Sequence, residues 1–238
     1  MTRMVLVTGG SSGIGRVVAE RFAADGDDVV ITGRRPDSLA ETAAAIDVRA
    51  IRCDASAPAD VASLAGQLGR VDVLVNMAGG NTDFDAPLDD GASLATVAAA
   101  WLANLNANLL STVLTTTALL PAMPDGASII NVSSIGAEYA STSYGAAKAA
   151  VAAWTAGLSA TIGPRGITAN AIAPGYIENT GFFRGQLSDE RRASLIDATH
   201  DKRAGLPDDI GPMIASLLSE DNRWVNAQRI EVSGGMSI

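Results

Sequence analysis

The sequence predicts an α/β fold built on one doubly wound parallel sheet with helices on both faces. Short apolar segments alternate with helical patterns along all 238 residues. Several of these segments are continuous apolar runs, as expected of strands covered on both faces. No internal repeat or low-complexity linker divides the chain, and its length suits one large domain with its own core. We therefore expect residues 1–238 to form a single domain.

The first half of the chain contains four predicted strands that alternate with three helices. The strands are rich in Val and Ile, and Gly26 and Asp27 separate the first helix from the second strand. The predicted strands are Val5–Thr8, Val29–Thr32, Val48–Arg52 and Val71–Val75, and the predicted helices are Ile14–Ala24, Ser38–Ile46 and Val61–Leu68.

The second half continues the alternation with longer helices. Pro121 ends the first of them, and Gly163-Pro164 closes the next. The predicted helices are Leu94–Leu120, Tyr144–Ile162 and Ile210–Leu218, and the predicted strands are Ser128–Val132, Ile167–Ile172 and Gln228–Val232. Residues 176–206 are polar and contain Gly181 and Gly185, which predicts a substrate lid rather than a part of the core.

Composition and charge exclude several classes of function. The chain carries 17 basic and 26 acidic residues, a formal net charge of −9. No basic face is evident, so we expect no nucleic-acid partner. The single cysteine, Cys53, cannot form an intrachain disulfide, and it is expected to be a small buried thiol at a strand end. With no signal-peptide pattern and no unbroken apolar run of about 18 residues, we expect a cytoplasmic protein without a membrane partner.

A glycine-rich loop connects the first strand to the first helix. It reads Thr8-Gly9-Gly10-Ser11-Ser12-Gly13-Ile14-Gly15. Glycines let the backbone turn tightly and approach a ligand closely, and a helix N-terminus offers free N–H groups to an anion. At the first strand-to-helix junction of an alternating fold, such a loop predicts a site for the pyrophosphate of a dinucleotide.

The end of the second strand predicts which dinucleotide binds. An NAD site usually carries an acidic residue here, which holds the ribose 2′-hydroxyl. This chain has Gly33 followed by Arg34 and Arg35. A guanidinium can grip a 2′-phosphate through two hydrogen bonds. We therefore expect NADP(H) to be preferred, with NAD(H) as the alternative.

Three side chains form a candidate catalytic set. Tyr144 and Lys148 are four residues apart at the start of a predicted helix, and so share one face. A neighbouring ammonium is expected to lower the pKa of the tyrosine, which could then exchange a proton with a carbonyl or alcohol oxygen. A serine hydroxyl at the end of the fifth strand, Ser133 or Ser134, is well placed to hold the same oxygen.

These motifs together resemble the short-chain dehydrogenase/reductase family over essentially the whole chain, and its 3-oxoacyl-carrier-protein reductase-like subgroup in particular. The loop Thr8–Gly15 resembles the family's T-G-x3-G-x-G pattern, and Tyr144-x3-Lys148 resembles its Y-x3-K signature. Further matches are Asn76-Met77-Ala78-Gly79 to N-N-A-G, Trp101 to Asn108 to W-x6-N, and Pro174-Gly175 to the P-G turn. Ser134 departs from the pattern, because it lies ten residues before Tyr144 where the family more often has twelve or thirteen.

The resemblance implies a role for each matching residue. Tyr144 would be the acid/base, Lys148 would bind the nicotinamide ribose, and Ser134 would orient the carbonyl. Asn108 would hold a water in a proton relay behind Lys148. The cofactor-binding set implied in this way is Gly9, Ser11, Ser12, Gly13, Ile14, Gly15, Arg34, Arg35, Asp54, Ala55, Asn76, Ala78, Gly79, Tyr144, Lys148, Pro174, Gly175, Ile177 and Thr180.

The sequence thus predicts an NADP(H)-dependent oxidoreductase for a small carbonyl or alcohol substrate, most simply a ketoreductase. The alternatives are an NAD-dependent alcohol dehydrogenase and a non-catalytic dinucleotide sensor. No Cys/His cluster has metal-ligand spacing, so no catalytic metal is expected.

The lid and the 81–92 loop are expected to form the substrate pocket, with apolar walls from Phe84, Tyr139, Tyr176, Phe182 and Phe183. Ala-rich helix faces at 94–120 and 146–160 predict a homotetramer or homodimer.

Overall fold

The computed structural model describes residues 2–138 and 141–236 and contains one parallel sheet. Its seven strands have the order β3-β2-β1-β4-β5-β6-β7. The strands are β1 Met4–Thr8, β2 Asp28–Gly33, β3 Arg49–Arg52, β4 Val73–Asn76, β5 Ser128–Val132, β6 Thr168–Pro174 and β7 Arg229–Val232. This architecture confirms the predicted doubly wound, Rossmann-like fold class. The strand order reverses between β1 and β4, and ligands bind at such a point in open α/β sheets.

Helices cover both faces of the sheet. They are α1 Gly13–Ala24, α2 Pro36–Ala45, α3 Pro58–Gly66, α4 Leu94–Leu105, α5 Ser111–Leu119, α6 Ser143–Ile162, α7 Asp189–Asp197 and α8 Pro207–Leu217. Phe22 of α1 and Ile214 of α8 contribute to the apolar core on one face. Leu64 of α3, Leu119 of α5 and Ile162 of α6 contribute to the core on the other. Cys53 is buried directly after β3, as predicted.

Three helices begin two or three residues earlier than the sequence predicts. Helices α2, α3 and α8 each start at a proline, respectively Pro36, Pro58 and Pro207. A proline is well suited to the first helical position, where its missing N–H leaves no hydrogen bond unmade and its φ angle is already helical. The apolar periodicity used for prediction begins only one turn later, which explains the error.

The predicted helix Leu94–Leu120 is interrupted. A π-helical turn over Asn106–Leu110 separates α4 from α5, and a short 3-10 turn follows at Leu120–Ala122. Such a turn inserts an extra residue into the helix, and it often marks a functional site. Here it includes Asn108, which is fully buried.

The same helical segment bears on the expectation about membranes. Leu94–Ala122 is long and apolar enough, by length and composition alone, to cross a bilayer, although the sequence analysis anticipated no such segment. Within the fold, α4 packs against α6, and α5 packs against α3. Both Asn104 and Asn108 are buried in the segment. A helix packed in this way belongs to the layer that covers the sheet, and its outer face is apolar and exposed.

Residues 176–206 are more ordered than the lid prediction implies. Helix α7 lies within them, and it is capped by Ser188, whose hydroxyl accepts a hydrogen bond from the Arg191 N–H. Tyr176, Ile177 and Ala204 are buried, so both ends of the segment belong to the core. The description of the whole segment as outside the core is therefore wrong. Its central part, which carries Phe182 and Phe183, stays on the surface.

Candidate active site

The glycine loop lies between the carboxyl ends of β1 and β4. A Cβ atom on Gly15 would lie 2.4 Å from the Gly9 carbonyl oxygen, so any larger residue would push the loop apart. Ser12 precedes α1, and its side chain makes no capping hydrogen bond to the first turn. The N–H groups of that turn are therefore available to a phosphate group without competition from a side-chain cap.

A cleft of about 470 Å³ opens at this end of α1. Ser11, Ser12 and Gly13 line one wall, and Arg16 and Asn179 line others. Thr180, which the family resemblance places near the pyrophosphate or the carboxamide, lies 3.5 Å from the position that a Cβ on Gly13 would occupy. Free N–H groups, small residues and a nearby cation are the features that a dinucleotide pyrophosphate requires, so the residues fit the implied cofactor.

The residues at the end of β2 lie beside the glycine loop. Gly33 leaves room for Ser11, whose hydroxyl oxygen would lie 3.0 Å from a Cβ at position 33. Arg34 and Arg35 follow and are exposed. Burial raises the pKa of the Asp54 carboxyl, but hydrogen bonds from Ser56 and the nearby Arg34 charge outweigh this effect and hold it below the usual value. Arg34 and Asp54 therefore border the same region, where the adenosine end of a dinucleotide is expected.

The loop after β4 is fixed from two sides. The Thr8 hydroxyl oxygen accepts hydrogen bonds from the Met77 N–H at 3.1 Å and the Ala78 N–H at 3.0 Å. Asn108 holds the other side, since its Oδ1 accepts from the Gly80 N–H and its Nδ2 donates to the Gly80 carbonyl, both at 3.0 Å. A Cβ on Gly79 would lie 2.6 Å from Asn108 Oδ1, and the φ angle of +149° also requires glycine. Asn108 therefore ties this loop to the π-helical turn.

The predicted catalytic side chains lie together at the carboxyl end of β5. The Ser134 and Tyr144 side chains both border Gly136, where a Cβ atom would lie 3.4 Å from Ser134 Oγ and 3.9 Å from Tyr144 Cε1. Lys148 Nζ lies 5.8 Å from the centre of the Tyr144 ring and donates a 2.8 Å hydrogen bond to the Val132 carbonyl. Ser133 is buried, and its hydroxyl donates to the Lys148 carbonyl at 2.8 Å. Of the two candidate serines, the geometry therefore favours Ser134 as the one that faces a substrate.

The electrostatics of this group differ from expectation. Burial raises the pKa of the Tyr144 phenol to about 12, although the hydrogen bond with Ser134 acts in the opposite direction. Burial also lowers the pKa of Lys148 to about 8. The prediction that Lys148 lowers the tyrosine pKa is wrong for the protein alone, because desolvation of the phenol dominates. Tyr144 is therefore a protonated acid at neutral pH.

Aromatic side chains cover Tyr144. The Phe182 ring lies 5.5 Å from the Tyr144 ring, and it also contacts Phe84 at 5.8 Å and Phe183 at 5.0 Å between centres. Tyr176 contacts Phe183 at 5.9 Å. Four of the five predicted pocket residues thus form one cluster, whereas Tyr139 lies outside the described residues. An ion pair between Arg184 and Asp85 joins the two segments that carry the cluster.

The remaining predicted cofactor residues lie at the ends of neighbouring strands. Pro174 ends β6, and Gly175 packs so closely on β7 that a Cβ there would lie 2.8 Å from Ser233 Cα. Ile177 is buried and bridges to Gly205. Ala55 and Asn76 are buried next to the crevice strands β3 and β4.

Sequence reasoning missed several residues at this site. Arg16 and Asn179 line the cleft, and Arg16 would have been found from its place in the first turn after the glycine loop. Asp83, Asn104 and Ser143 form a hydrogen-bonded group beside Tyr144. No spacing rule connects these three positions, which lie far apart in the chain.

Comparisons with known proteins agree with this geometry. A family model described as Enoyl-(Acyl carrier protein) reductase matches residues 9–237. An acetoacetyl-CoA reductase from Allochromatium vinosum is 30% identical over 252 residues, covering 99% of this chain and 99% of that protein. The crystal structure of a blue fluorescent protein from a metagenomic library in complex with NADPH superposes with a TM-score of 0.84 at 32% identity, covering 99% of this chain and 98% of that one. A short-chain type dehydrogenase/reductase from Mycobacterium ulcerans gives a TM-score of 0.87 at 28% identity, covering 98% and 89%.

The fold and the crevice define a nucleotide-binding oxidoreductase. The chain belongs to the short-chain dehydrogenase/reductase family, which confirms the resemblance found in its motifs. It is therefore an enzyme that acts on the CH–OH/C=O group of a small molecule with a nicotinamide cofactor.

Proposed function

We propose that this enzyme is an NADPH-dependent ketoreductase in which Ser134, Tyr144 and Lys148 act on the carbonyl. The observation that carries the proposal is that Ser134 and Tyr144 border the same point beside Gly136, with Lys148 Nζ 5.8 Å from the centre of the Tyr144 ring. Two hydroxyl side chains that lie together at the carboxyl edge of the sheet can both turn to one carbonyl oxygen. A protonated phenol at neutral pH suits reduction, which consumes a proton at that oxygen.

The proposed roles follow from the contacts of each side chain. When bound, the nicotinamide supplies the hydride that reaches the carbonyl carbon. Ser134 holds the carbonyl oxygen by a hydrogen bond, and Tyr144 donates its phenolic proton to that oxygen. Lys148, fixed by the Val132 carbonyl, binds the nicotinamide ribose and places positive charge near the phenolate that remains. Asn108 supports the relay by which Tyr144 regains a proton.

The preference for NADPH rests on the residues after β2. Arg34 and Arg35 are exposed beside Gly33, where they can reach a 2′-phosphate. The absence of an acid at position 33 removes the usual partner of the ribose 2′-hydroxyl in NAD sites. The solved structure with NADPH shows that a related protein binds this cofactor.

The substrate is proposed to be a ketone with an apolar substituent next to the carbonyl, either free or as a thioester. Support comes from the Phe84, Phe182 and Phe183 rings that cover Tyr144, since pockets of this kind are lined mainly by apolar side chains. The central part of residues 176–206 would act as the lid. A 2.8 Å hydrogen bond from the Gln186 side chain to the Phe84 carbonyl joins it to the 81–92 loop.

The enzyme is also proposed to form a homodimer or homotetramer. Leu94, Leu102 and Trp101 on α4 and Leu110 in the π-helical turn are 88%, 57%, 38% and 38% exposed. A contiguous apolar face of this kind is unusual on a monomer and typical of an interface. A second copy of the same helices would cover it with twofold symmetry.

The proposal is tested by titrating the purified enzyme with NADPH and with NADH, followed by turnover with ketones and acyl thioesters. We expect NADPH to bind more than tenfold more tightly, because the arginines meet an additional phosphate. Arg34→Ala should remove most of this difference, whereas Arg70→Ala, an exposed arginine paired with Asp72, should leave it unchanged. Tighter binding of NADH would contradict the proposal and favour an NAD-dependent alcohol dehydrogenase.

A further inference from the structure

A buried polar cluster beside Tyr144 has no role in the proton transfer described above. It consists of Asp83, from the loop after β4, Asn104, from α4, and Ser143, the residue before Tyr144. Asn104 is completely buried and Ser143 is 5% exposed. A buried amide on an otherwise apolar helix destabilises the fold unless every polar atom finds a partner. We therefore expect Asn104 to have a role in the active site that offsets this cost.

Asn104 bonds two other segments of the chain through its side chain. Its Nδ2 donates to Asp83 Oδ1 and to Ser143 Oγ, both at 2.8 Å. Its Oδ1 accepts from the Thr82 N–H at 3.1 Å. Ser143 Oγ also donates to Asp83 Oδ1 at 3.3 Å, which closes a ring of three side chains. Both the nitrogen and the oxygen of the Asn104 amide therefore have hydrogen-bond partners within the protein.

The cluster connects three parts of the site: the start of α6, the loop after β4 and the π-helical turn. Ser143 opens α6 directly before Tyr144, so its position sets the direction of the phenol. Asp83 lies in a 3-10 turn with Phe84, whose ring contacts Phe182 over Tyr144. The Asn104 carbonyl accepts a 2.9 Å hydrogen bond from Asn108, the residue that holds Gly80. The Asp83 carboxylate also lies near the N-terminus of α6, where the helix dipole favours negative charge.

We propose that Asn104 and Asp83 are positioning residues, which act through Ser143 to hold Tyr144 in register with the substrate loop. The proposal rests on the proposed role of Tyr144 as the proton donor. The cluster touches the tyrosine side of the site and not the glycine loop. It therefore governs the proton-transfer geometry and leaves binding of the nucleotide to other residues.

The test compares Asn104→Leu with Gln67→Leu, a matched control that replaces an exposed amide at the end of α3, away from the active site and from the exposed face of α4. For Asn104→Leu we expect kcat to fall roughly tenfold to a hundredfold, because small misplacement of a catalytic group has effects of this size. The Kd for NADPH should stay within about twofold, in keeping with the distance from the glycine loop. Rates are normalised to the NADPH-binding stoichiometry, which removes any unfolded fraction. Asp83→Asn keeps an acceptor oxygen and should retain activity, whereas Asp83→Leu should behave like Asn104→Leu.

A second measurement does not depend on turnover. The Cζ resonance of Tyr144 in protein with ¹³C-labelled tyrosine, assigned with Tyr144→Phe, reports the surroundings of the phenol. This resonance should shift in Asn104→Leu and stay in place in Gln67→Leu. If the wild-type enzyme reduces no carbonyl compound, the proposed function fails, and this resonance still decides the present inference. An unchanged Tyr144 resonance, unchanged kcat in Asn104→Leu, or an equal loss of NADPH binding would overturn it.

Discussion

Lys148 combines a proposed catalytic role with an unfavourable environment. Burial lowers its pKa from the usual 10.5 to about 8, so folding favours the neutral amine. Between these two pH values the unfolded chain binds more protons than the folded one, and stability therefore rises with pH. Below about pH 8 both states are protonated, and the cost of burying the ammonium is present in full. A residue that destabilises the fold in this way at neutral pH is explained by function.

We predict that Lys148→Met removes this pH dependence. From pH 7 to pH 10.5 the wild type should gain roughly 2–3 kcal/mol of unfolding free energy relative to the variant, the amount that the lowered pKa implies. Urea unfolding of both proteins at several pH values measures the difference, and all other titrating groups cancel in the comparison. Parallel stability curves would contradict a lowered pKa of Lys148 in the folded protein. Turnover should be lost in the variant at every pH.

The individual site residues differ in how far sequence could predict them. Tyr144 and Lys148 stand at a recognisable spacing, whereas Ser134 was one of two candidate serines at the end of β5 and departs from the usual spacing. No spacing predicted Asn104 and Asp83, because their contacts depend on how α4 packs against the 3-10 turn and the start of α6. The raised pKa of Tyr144 was also beyond sequence, since spacing shows the nearby lysine but not the burial of the phenol.

At the scale of elements, the glycine loop is the part most tightly fixed by close packing. A Cβ on Gly15 would lie 2.4 Å from the Gly9 oxygen, so the loop and the start of α1 cannot keep their positions around it. Gly66, at the end of α3, has no atom within 4 Å of the same position. An alanine at position 15 would therefore clash with the loop, whereas an alanine at position 66 would meet no neighbouring atom.

We predict that Gly15→Ala destabilises the protein by about 1–3 kcal/mol, the usual effect of overpacking, and abolishes NADPH binding. Gly66→Ala should be neutral or stabilise the protein by up to about 1 kcal/mol, because alanine favours the helix. Thermal unfolding and cofactor fluorescence measure both effects. Normal NADPH binding by Gly15→Ala would show that the loop does not hold the pyrophosphate.

Sequence predicted the elements better than their boundaries. The apolar strands and the amphipathic helices followed from periodicity, because both faces of the sheet are covered. The proline starts of α2, α3 and α8 carried a usable signal at the first helical position. The π-helical turn carried no comparable signal. Apolar periodicity could not predict α7 either, because none of its residues is buried. Its start is marked by the hydroxyl cap of Ser188 and by the acidic residues Asp189 and Glu190 in the first turn.

At the scale of the whole molecule, the exposed face of α4 and the turn after it is the feature that a single chain leaves unexplained. Its leucines and Trp101 are apolar and exposed, while the rest of the surface carries a net charge of −9. Association with a second copy would bury this face and would also hold α4, and with it Asn104, against the active site. Assembly and catalysis are then expected to depend on each other.

We predict that Leu102→Glu dissociates a dimer or tetramer of the 24.2 kDa chain into monomers. A charge buried at a symmetric interface occurs twice and repels its own copy. Ala40→Glu, on the exposed side of α2, should leave the assembly intact. Light scattering after gel filtration distinguishes these results. A wild-type protein that is monomeric at micromolar concentration would contradict the proposed interface.

The most direct test of the account is the turnover of ketones by wild-type enzyme and by Tyr144→Phe, with the NADPH affinity of both measured in parallel. The substitution removes one hydroxyl and leaves the ring to pack against Phe182. We predict that turnover falls by at least about a hundredfold, the scale of general acid catalysis, while the Kd for NADPH stays nearly constant. Retained turnover in Tyr144→Phe would contradict the assignment of Tyr144 as the proton donor.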